Sequence, residues 1–185
     1  QDAYSIGKGP VLKLFLDSKN NIWATSLSTG LYQFDEKNDR FVFFRHDPGN
    51  DNSLPSDTAY AIDEDKLGNL WISTLDAGIV RYNPNSNTYT RYRHEPGNPN
   101  SLSSDRTTGI LCDSRGKIWV STMKKGLDKL DPATGNITHY LTNTPHAVDI
   151  MEDQFHDIWI PTLGQGVYRF IRSENRFVNY IHDNK

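Results

Sequence analysis

The residues around positions 59–94 set out the pattern of the chain most plainly. Residues 59–65 (AYAIDED) form a short run that mixes apolar and polar positions, closed by the turn signal Lys66-Leu67-Gly68-Asn69. Residues 70–75 (LWISTL) are rich in β-branched and aromatic side chains, and Asp76-Ala77-Gly78 turns the chain again. Residues 79–83 (IVRYN) alternate, Pro84-Asn85-Ser86-Asn87 forms a third turn, and residues 88–94 (TYTRYRH) alternate around Tyr89 and Tyr92. The pattern predicts four short strands joined by tight turns. Helical spacing of apolar residues is absent throughout.

The same pattern is written four times. Trp23, Trp71, Trp119 and Trp159 are 48, 48 and 40 residues apart. An aspartate stands six residues before each (Asp17, Asp65, Asp113, Asp153), and a glycine seven after each (Gly30, Gly78, Gly126, Gly166). Thr74, Thr122 and Thr162 follow their tryptophans by three residues, with Ser26 in the first unit. Phe44, Tyr92, Tyr140 and Tyr180 follow by 21. A period of this length marks a modular array.

Four antiparallel strands per period specify an all-β fold of β-propeller blades. We expect the whole chain, residues 1–185, to be one propeller segment with blades at about 11–46, 59–94, 107–142 and 147–182. A four-stranded sheet cannot bury both faces alone, so blades stack, with each tryptophan as the wedge between neighbours. The glycine after each tryptophan opens the third strand, where a side chain would clash or the backbone needs positive φ. The connections His46-DPGNDNSLPSD-Thr58 and His94-EPGNPNSLSSD-Arg106 are nearly identical and carry one apolar residue each, Leu54 and Leu102. They read as ordered loops pinned by that leucine. The third connection, Asn143-Thr144-Pro145-His146, is shorter, which accounts for the 40-residue spacing.

The totals change this picture little. The net charge of -3 gives no bulk attraction to nucleic acid or anionic lipid. No apolar run approaches the roughly 20 residues of a membrane span, and no signal peptide is visible. The chain begins at Gln1 and reads as a processed or excised piece. Cys112 is the single cysteine, which excludes an intrachain disulfide, and its strand setting reads as a packed thiol.

The repeat is its own control, because a residue that recurs in every unit serves the unit. The four aspartates therefore read as turn-formers, not catalytic acids. His46, His94 and His182 share one register and read as strand-end residues. No metal site, cofactor site or catalytic motif is found, and Lys8-Gly9-Pro10 is too little for a phosphate loop. The carboxylate pairs Asp63/Asp65 and Asp35/Glu36 read as solvated turns. Sites should lie where units differ. The turns between second and third strands read Ser28-Thr29, Asp76-Ala77, Lys124-Lys125 and Gly164-Gln165. With Asp57-Thr58, Asp105-Arg106-Thr107 and His146 they would form a mixed polar rim on one face. The candidate ligand-binding residues are Ser28, Thr29, Asp76, Asp105, Arg106, Lys124, Lys125 and Gln165. The plainer reading is solvated loop tips.

Residues 65–82, with the phrase D-x-x-G-N-L-W-I-S-T-x-x-x-G-I-x-R-Y, resemble the two-component regulator propeller repeat. So does the linker N-S-L-S-S-D at residues 100–105. The resemblance extends over about 11–182. It implies the periplasmic sensor region of a Bacteroides-type hybrid two-component histidine kinase, built as seven-bladed propellers. Such sensors recognise carbohydrate fragments and control glycan-utilisation genes, and the parent would span the inner membrane. The fourth copy departs from the pattern, with Phe155-His156-Asp157 in place of the Gly-Asn turn and Pro161 in place of a serine, and an altered turn or edge is expected there.

Three readings follow. The first is a non-enzymatic sensor segment that binds an oligosaccharide. The second is a structural or dimerising segment that associates through exposed blade faces. The third is a propeller enzyme acting on glycans, for which no unique axial acids stand out. Architecturally, an open four-blade fragment and a tight four-bladed ring both remain open, and no nucleic-acid partner is expected.

Overall fold

The structure, a computed structural model, describes residues 6, 9–144 and 146–181. Gln1, Lys8, Pro145 and His182, each read above, lie outside the described residues. The described residues form four antiparallel sheets of four strands. The first holds β1 (Val11–Leu16), β2 (Ile22–Ser26), β3 (Gly30–Asp35) and β4 (Arg40–Phe44). The second holds β5 (Ala59–Glu64), β6 (Leu70–Thr74), β7 (Ile79–Asn83) and β8 (Thr88–Tyr92). β9 (Thr107–Cys112), β10 (Ile118–Thr122), β11 (Leu127–Leu130) and β12 (Ile137–Tyr140) make the third. β13 (Met151–Glu152), β14 (Ile158–Pro161), β15 (Val167–Ile171) and β16 (Arg176–Tyr180) make the fourth. In each sheet the strands lie in chain order, the up-and-down arrangement of a propeller blade.

The core lies between the blades. Trp23 and Leu31 of the first blade pack on Ile62, Leu70, Ile72, Val80 and Tyr82 of the second. Trp71 and Ile79 pack likewise on Ile110, Ile118, Val120 and Leu130 of the third. Trp119 and Leu127 pack on Ile158, Ile160 and Phe170 of the fourth. Each tryptophan ring also meets the aromatic 21 residues on, at centroid distances of 5.4 Å (Trp23–Phe44, Trp71–Tyr92), 5.7 Å (Trp119–Tyr140) and 5.6 Å (Trp159–Tyr180). Cations from the third strand lie over three of the indoles: Arg81, Lys129 and Arg169.

The array is an open arc. Leu14, in the register of the fully buried Ile62, is 67% exposed, and Leu16 is 59% exposed. At the other end Met151 and Phe155 are exposed and Trp159 is only half-buried. The first and last faces therefore lack the cover that every internal face has.

The motif residues have separate jobs. Gly78 holds a φ of 73°, and a Cβ there would come within 2.2 Å of the Tyr92 carbonyl oxygen, so both reasons for the glycine apply at once. The four aspartates hold their turns, as with Asp65, whose Oδ1 accepts the Leu67 and Asn69 backbone N–H groups. They also bind the tryptophans. Each Oδ2 accepts the indole N–H six residues on, at 2.8 Å in the first three blades and 2.7 Å in the fourth.

Of the two changes expected in the fourth blade, the edge changes and the turn does not. Its first turn keeps the shape of the others. His156 takes the left-handed position (φ 67°) that Gly68 and Gly116 take, as does Asn20 in the first blade. The change falls on the inner strand, β13, which is two residues long where its counterparts have six. Proline lacks the N–H that a ladder needs, and Pro161 stands opposite the missing stretch. Its carbonyl still accepts the Val148 N–H at 3.0 Å, and Ala147 and Thr162 form an isolated bridge.

Asp63 also departs from expectation. It is not a solvated turn residue. Its Oδ2 accepts the Cys112 N–H of the next blade at 2.7 Å, and burial pushes its carboxyl above the usual aspartate range. A serine–glutamate clasp joins other blades nearby. Ser18 donates its N–H and Oγ–H to Glu64, and Ser114 does the same to Glu152.

Candidate functional site

The blade tips are rigid platforms. In the last three blades the threonine after the tryptophan holds the second-to-third-strand turn from within. Thr74, Thr122 and Thr162 each donate Oγ1–H to the carbonyl of the glycine four residues on, at 2.8, 3.1 and 2.8 Å. The same oxygens accept the backbone N–H of Ala77, Lys125 and Gln165. Ser26 does part of this work in the first blade, accepting from Thr29 Oγ1 at 2.7 Å. So the backbone of the last three tips is held alike, while the side chains it carries vary.

The long linkers lean on these platforms. Leu54 and Leu102 are fully buried, as the sequence predicts. His46 and His94 close the linkers, each with its Nδ1 on the leucine carbonyl, at 2.8 and 2.7 Å. Asp57 and Asp105 close them from the other end, accepting the His46 and His94 backbone N–H groups at 2.8 and 2.7 Å. Their own carbonyls accept the N–H of Gly30 and Gly78. Asp105 thus repeats a role that Asp57 already plays.

The candidate residues divide between two clefts. Ser28 and Asp76 line one of about 470 Å³ at the first and second blades, beside Asp57, Thr58 and Arg93. There Asp76 accepts Thr58 Oγ1–H at 2.7 Å. Lys124, Lys125 and Gln165 line the other, of about 560 Å³, at the third and fourth blades with His146. Thr29, Asp105 and Arg106 line neither cleft. Both volumes fall in the range of about 300–1,000 Å³ typical of small-ligand sites.

Other reactive-looking groups are engaged elsewhere. Ser103, His139 and Asp128 lie together, but Ser103 Oγ–H donates to Asp128 Oδ2 at 3.0 Å. His139 Nδ1 meets Asp128 Oδ1 at 2.7 Å, and its Nε2 meets the Pro99 carbonyl at 3.0 Å. No imidazole nitrogen is left to take a proton from the serine. Burial and the neighbouring carboxylates push the Cys112 thiol far above its ordinary range, so it is no nucleophile. Among the described residues no three His, Cys, Asp or Glu side chains are grouped to hold a metal ion. No helix among them is long and apolar enough to cross a membrane.

The fold and its varied tips define a propeller-blade array with diversified loops on a constant frame. Residues 53–76 and 101–124 match the family model of the two component regulator propeller, so the chain carries repeats of that family. No curated protein matches the chain in sequence. Among solved structures it is similar to the extracellular domain of BT3049 of B. thetaiotaomicron, described as a hybrid two component system (TM-score 0.81, 22% identity, 98% of this chain and 25% of that one). The extracellular domain of BT4673 from the same organism is similar too (TM-score 0.80, 21% identity, 97% of this chain and 25% of that one). Virginiamycin B lyase from Staphylococcus aureus shares the fold (TM-score 0.72, 19% identity, 92% and 55%). The chain spans about a quarter of the length of the two extracellular domains.

Proposed function

We propose that this chain is a ligand-sensing segment in the periplasmic sensor region of a hybrid two-component histidine kinase. In this reading the blades belong to a larger, seven-bladed propeller whose parent spans the inner membrane. They recognise carbohydrate fragments, and the parent controls glycan-utilisation genes. The segment itself is not an enzyme. The observation that carries the reading is the contrast at the blade tips: Thr74, Thr122 and Thr162 fix one turn geometry, and the residues displayed on it differ in every blade. The match to two component regulator propeller repeats supports the signalling context. Polar tips around clefts suit a ligand rich in hydroxyl groups.

Isothermal titration of the chain against a panel of glycan fragments tests the proposal. Saturable heat with at least one fragment is expected, and silence across the panel would remove direct binding by these blades. A second reading, a structural or self-associating segment, rests on the open faces at Leu14 and Leu16 and at Met151 and Phe155. A stable oligomer in sedimentation, with no response to any glycan, would favour it.

A further inference from the structure

The repeat allows the tip of each blade to be compared position by position. The backbone carbonyls of Pro10, Thr58, Arg106 and His146 accept the N–H groups of Leu27, Leu75, Met123 and Leu163, at 3.2, 3.3, 3.0 and 2.9 Å. These four residues are therefore equivalent, each fastened beside its blade's tip turn. In the first blade the tip carries Pro10, Ser28 and Thr29, and in the second Thr58, Asp76 and Ala77. In the third blade all three positions are cationic: Arg106, Lys124 and Lys125. The frame does not require this, since the other blades build the same turn without a cation.

Among the described residues these charges have no counter-ion. None of the three joins an ion pair among the described residues. Asp105, beside Arg106 in sequence, presents its Oδ1 to the His94 N–H. The chain as a whole is acidic, so the cluster stands against the net charge. Lys124 and Lys125 line the cleft of about 560 Å³ together with Asn143, Gln165 and His146.

We infer that the cleft between the third and fourth blades is a subsite for an oxyanion group, a carboxylate or a sulfate ester, carried by the ligand. Lys124 and Lys125 supply ammonium donors from a fixed turn, and the side-chain amides of Asn143 and Gln165 complete the donor set. Arg106, one backbone hydrogen bond away, adds to the positive field. The inference rests on the sensing role proposed above and narrows its ligand to an acidic saccharide.

The test titrates the ¹⁵N-labelled chain with digalacturonate, galactose 6-sulfate, inorganic sulfate and neutral galactobiose. The backbone amides of residues 123–126, 142–144 and 146 are expected to shift with the anionic probes and not with galactobiose. Lys124→Gln combined with Lys125→Gln should weaken anion binding by about tenfold or more, as loss of charge-assisted contacts implies. Gln165→Ala should weaken it less, and Lys37→Gln, in the turn between β3 and β4, should change nothing. A response to the carboxylate alone or to the sulfate ester alone names the group. A response to inorganic sulfate without either sugar would keep the anion subsite and remove the saccharide. Anionic and neutral sugars binding alike, untouched by the double variant, would overturn the subsite and leave the sensor reading standing. Silence from all four probes and from the glycan panel would overturn both.

Discussion

The indole N–H of Trp71 donates to Oδ2 of Asp65 at 2.8 Å, while Oδ1 of the same carboxylate accepts two backbone N–H groups of the intervening turn. Asp65 thus fastens a turn at the blade's end and orients the wedge that fills the gap to the next blade. The pair recurs in all four blades. It explains why the aspartate and the tryptophan keep a fixed separation although the residues between them change.

Both carboxylate oxygens of Asp65 face donors, so asparagine is not a substitute. Its amide NH₂ would point at the Trp71 N–H or at the turn. Asp65→Asn and Asp65→Ala are therefore expected to destabilise the chain similarly, by about 1–3 kcal/mol for the orphaned groups. Urea unfolding followed by tryptophan fluorescence measures this. Full stability of the asparagine variant would show that the charge and the second acceptor are dispensable. Asp17 adds a pH signature. Burial raises its carboxyl, but the bonds from Trp23, Asn21 and Lys19 outweigh that and hold it below the ordinary value of 3.8. A depressed carboxyl contributes stability above its unfolded value and loses it as pH falls through the folded one. Unfolding on the acid side should begin near pH 4 and steepen below it.

The blades were legible because every signal repeats. The tryptophan spacing, the Gly78 class of glycines and the alternating runs all reappear as strands and turns where expected. The tie between Asp65 and Trp71 was visible only as a constant interval, because turn chemistry alone already accounts for an aspartate there. Asp63 reads as solvated in the sequence because its partner is the backbone of Cys112 in the next blade, which no local pattern can report. The candidate rim was legible as a set of variable positions. Its division into two clefts depends on how neighbouring blades meet, and Asp105's linker role depends on a backbone N–H at His94.

The two long linkers are clasped by different chemistry. Arg91 holds the first, with Nη2 on the Ser53 carbonyl at 3.3 Å and Nη1 on Asp51 at 3.5 Å. His139, in the same register, holds the second between Asp128 and the Pro99 carbonyl. Both ring nitrogens of His139 face acceptors, so the clasp is complete only in the imidazolium form. Burial presses the His139 pKa down, but the bonds to Asp128 and Pro99 carry it above the ordinary 6.5. Burial also pushes Asp128 above 3.8, despite its bonds to His139 and Ser103. The ionic clasp therefore spans the interval between the raised aspartate value and the raised histidine value. His94 and Glu95 line the same groove. Hydrogen exchange, corrected for intrinsic rates, should show protection at residues 95–104 falling as pH rises through the folded His139 value. The first linker should not respond, and His139→Ala should flatten the profile. Parallel behaviour of the two linkers would refute the clasp.

Arg172 joins the third and fourth blades. Its Nη1 meets Asp113 Oδ2 at 3.0 Å, its Nη2 meets Glu152 Oε1 at 3.3 Å, and its Nε donates to the His156 carbonyl at 2.7 Å. The guanidinium and Asp113 are nearly closed to solvent. Arg172→Met keeps the stem but leaves two carboxylates without their cation, a loss of about 3–5 kcal/mol for buried pairs. Lysine, a point charge, should not restore it. Exchange should quicken in β14–β16 before the second blade changes, and uniform protection across both would count against this coupling.

The two open faces of the arc stand at positions equivalent to the faces that meet inside it. Trp159 with Tyr180 presents the surface that Trp23 with Phe44 presents to the second blade. Leu14 and Ile22 stand where Ile62 and Leu70 receive it. Head-to-tail contact between copies is a heterologous interface, and such contacts extend unless the rotation closes. The serine–glutamate clasp is missing at that junction, since Gln154 and Leu16 hold the clasp positions. Such a contact would be apolar, so added salt should not dissolve it. Sedimentation velocity should show a weight-average size that climbs with protein concentration. Leu14→Lys with Leu16→Lys should return a monomer at all concentrations. The thermal midpoint should barely move, because both side chains are exposed in the single copy and exposed substitutions usually fall within about 0.5 kcal/mol of neutral. A wild-type chain that stays monomeric at high concentration would show that these faces, though apolar, do not select one another.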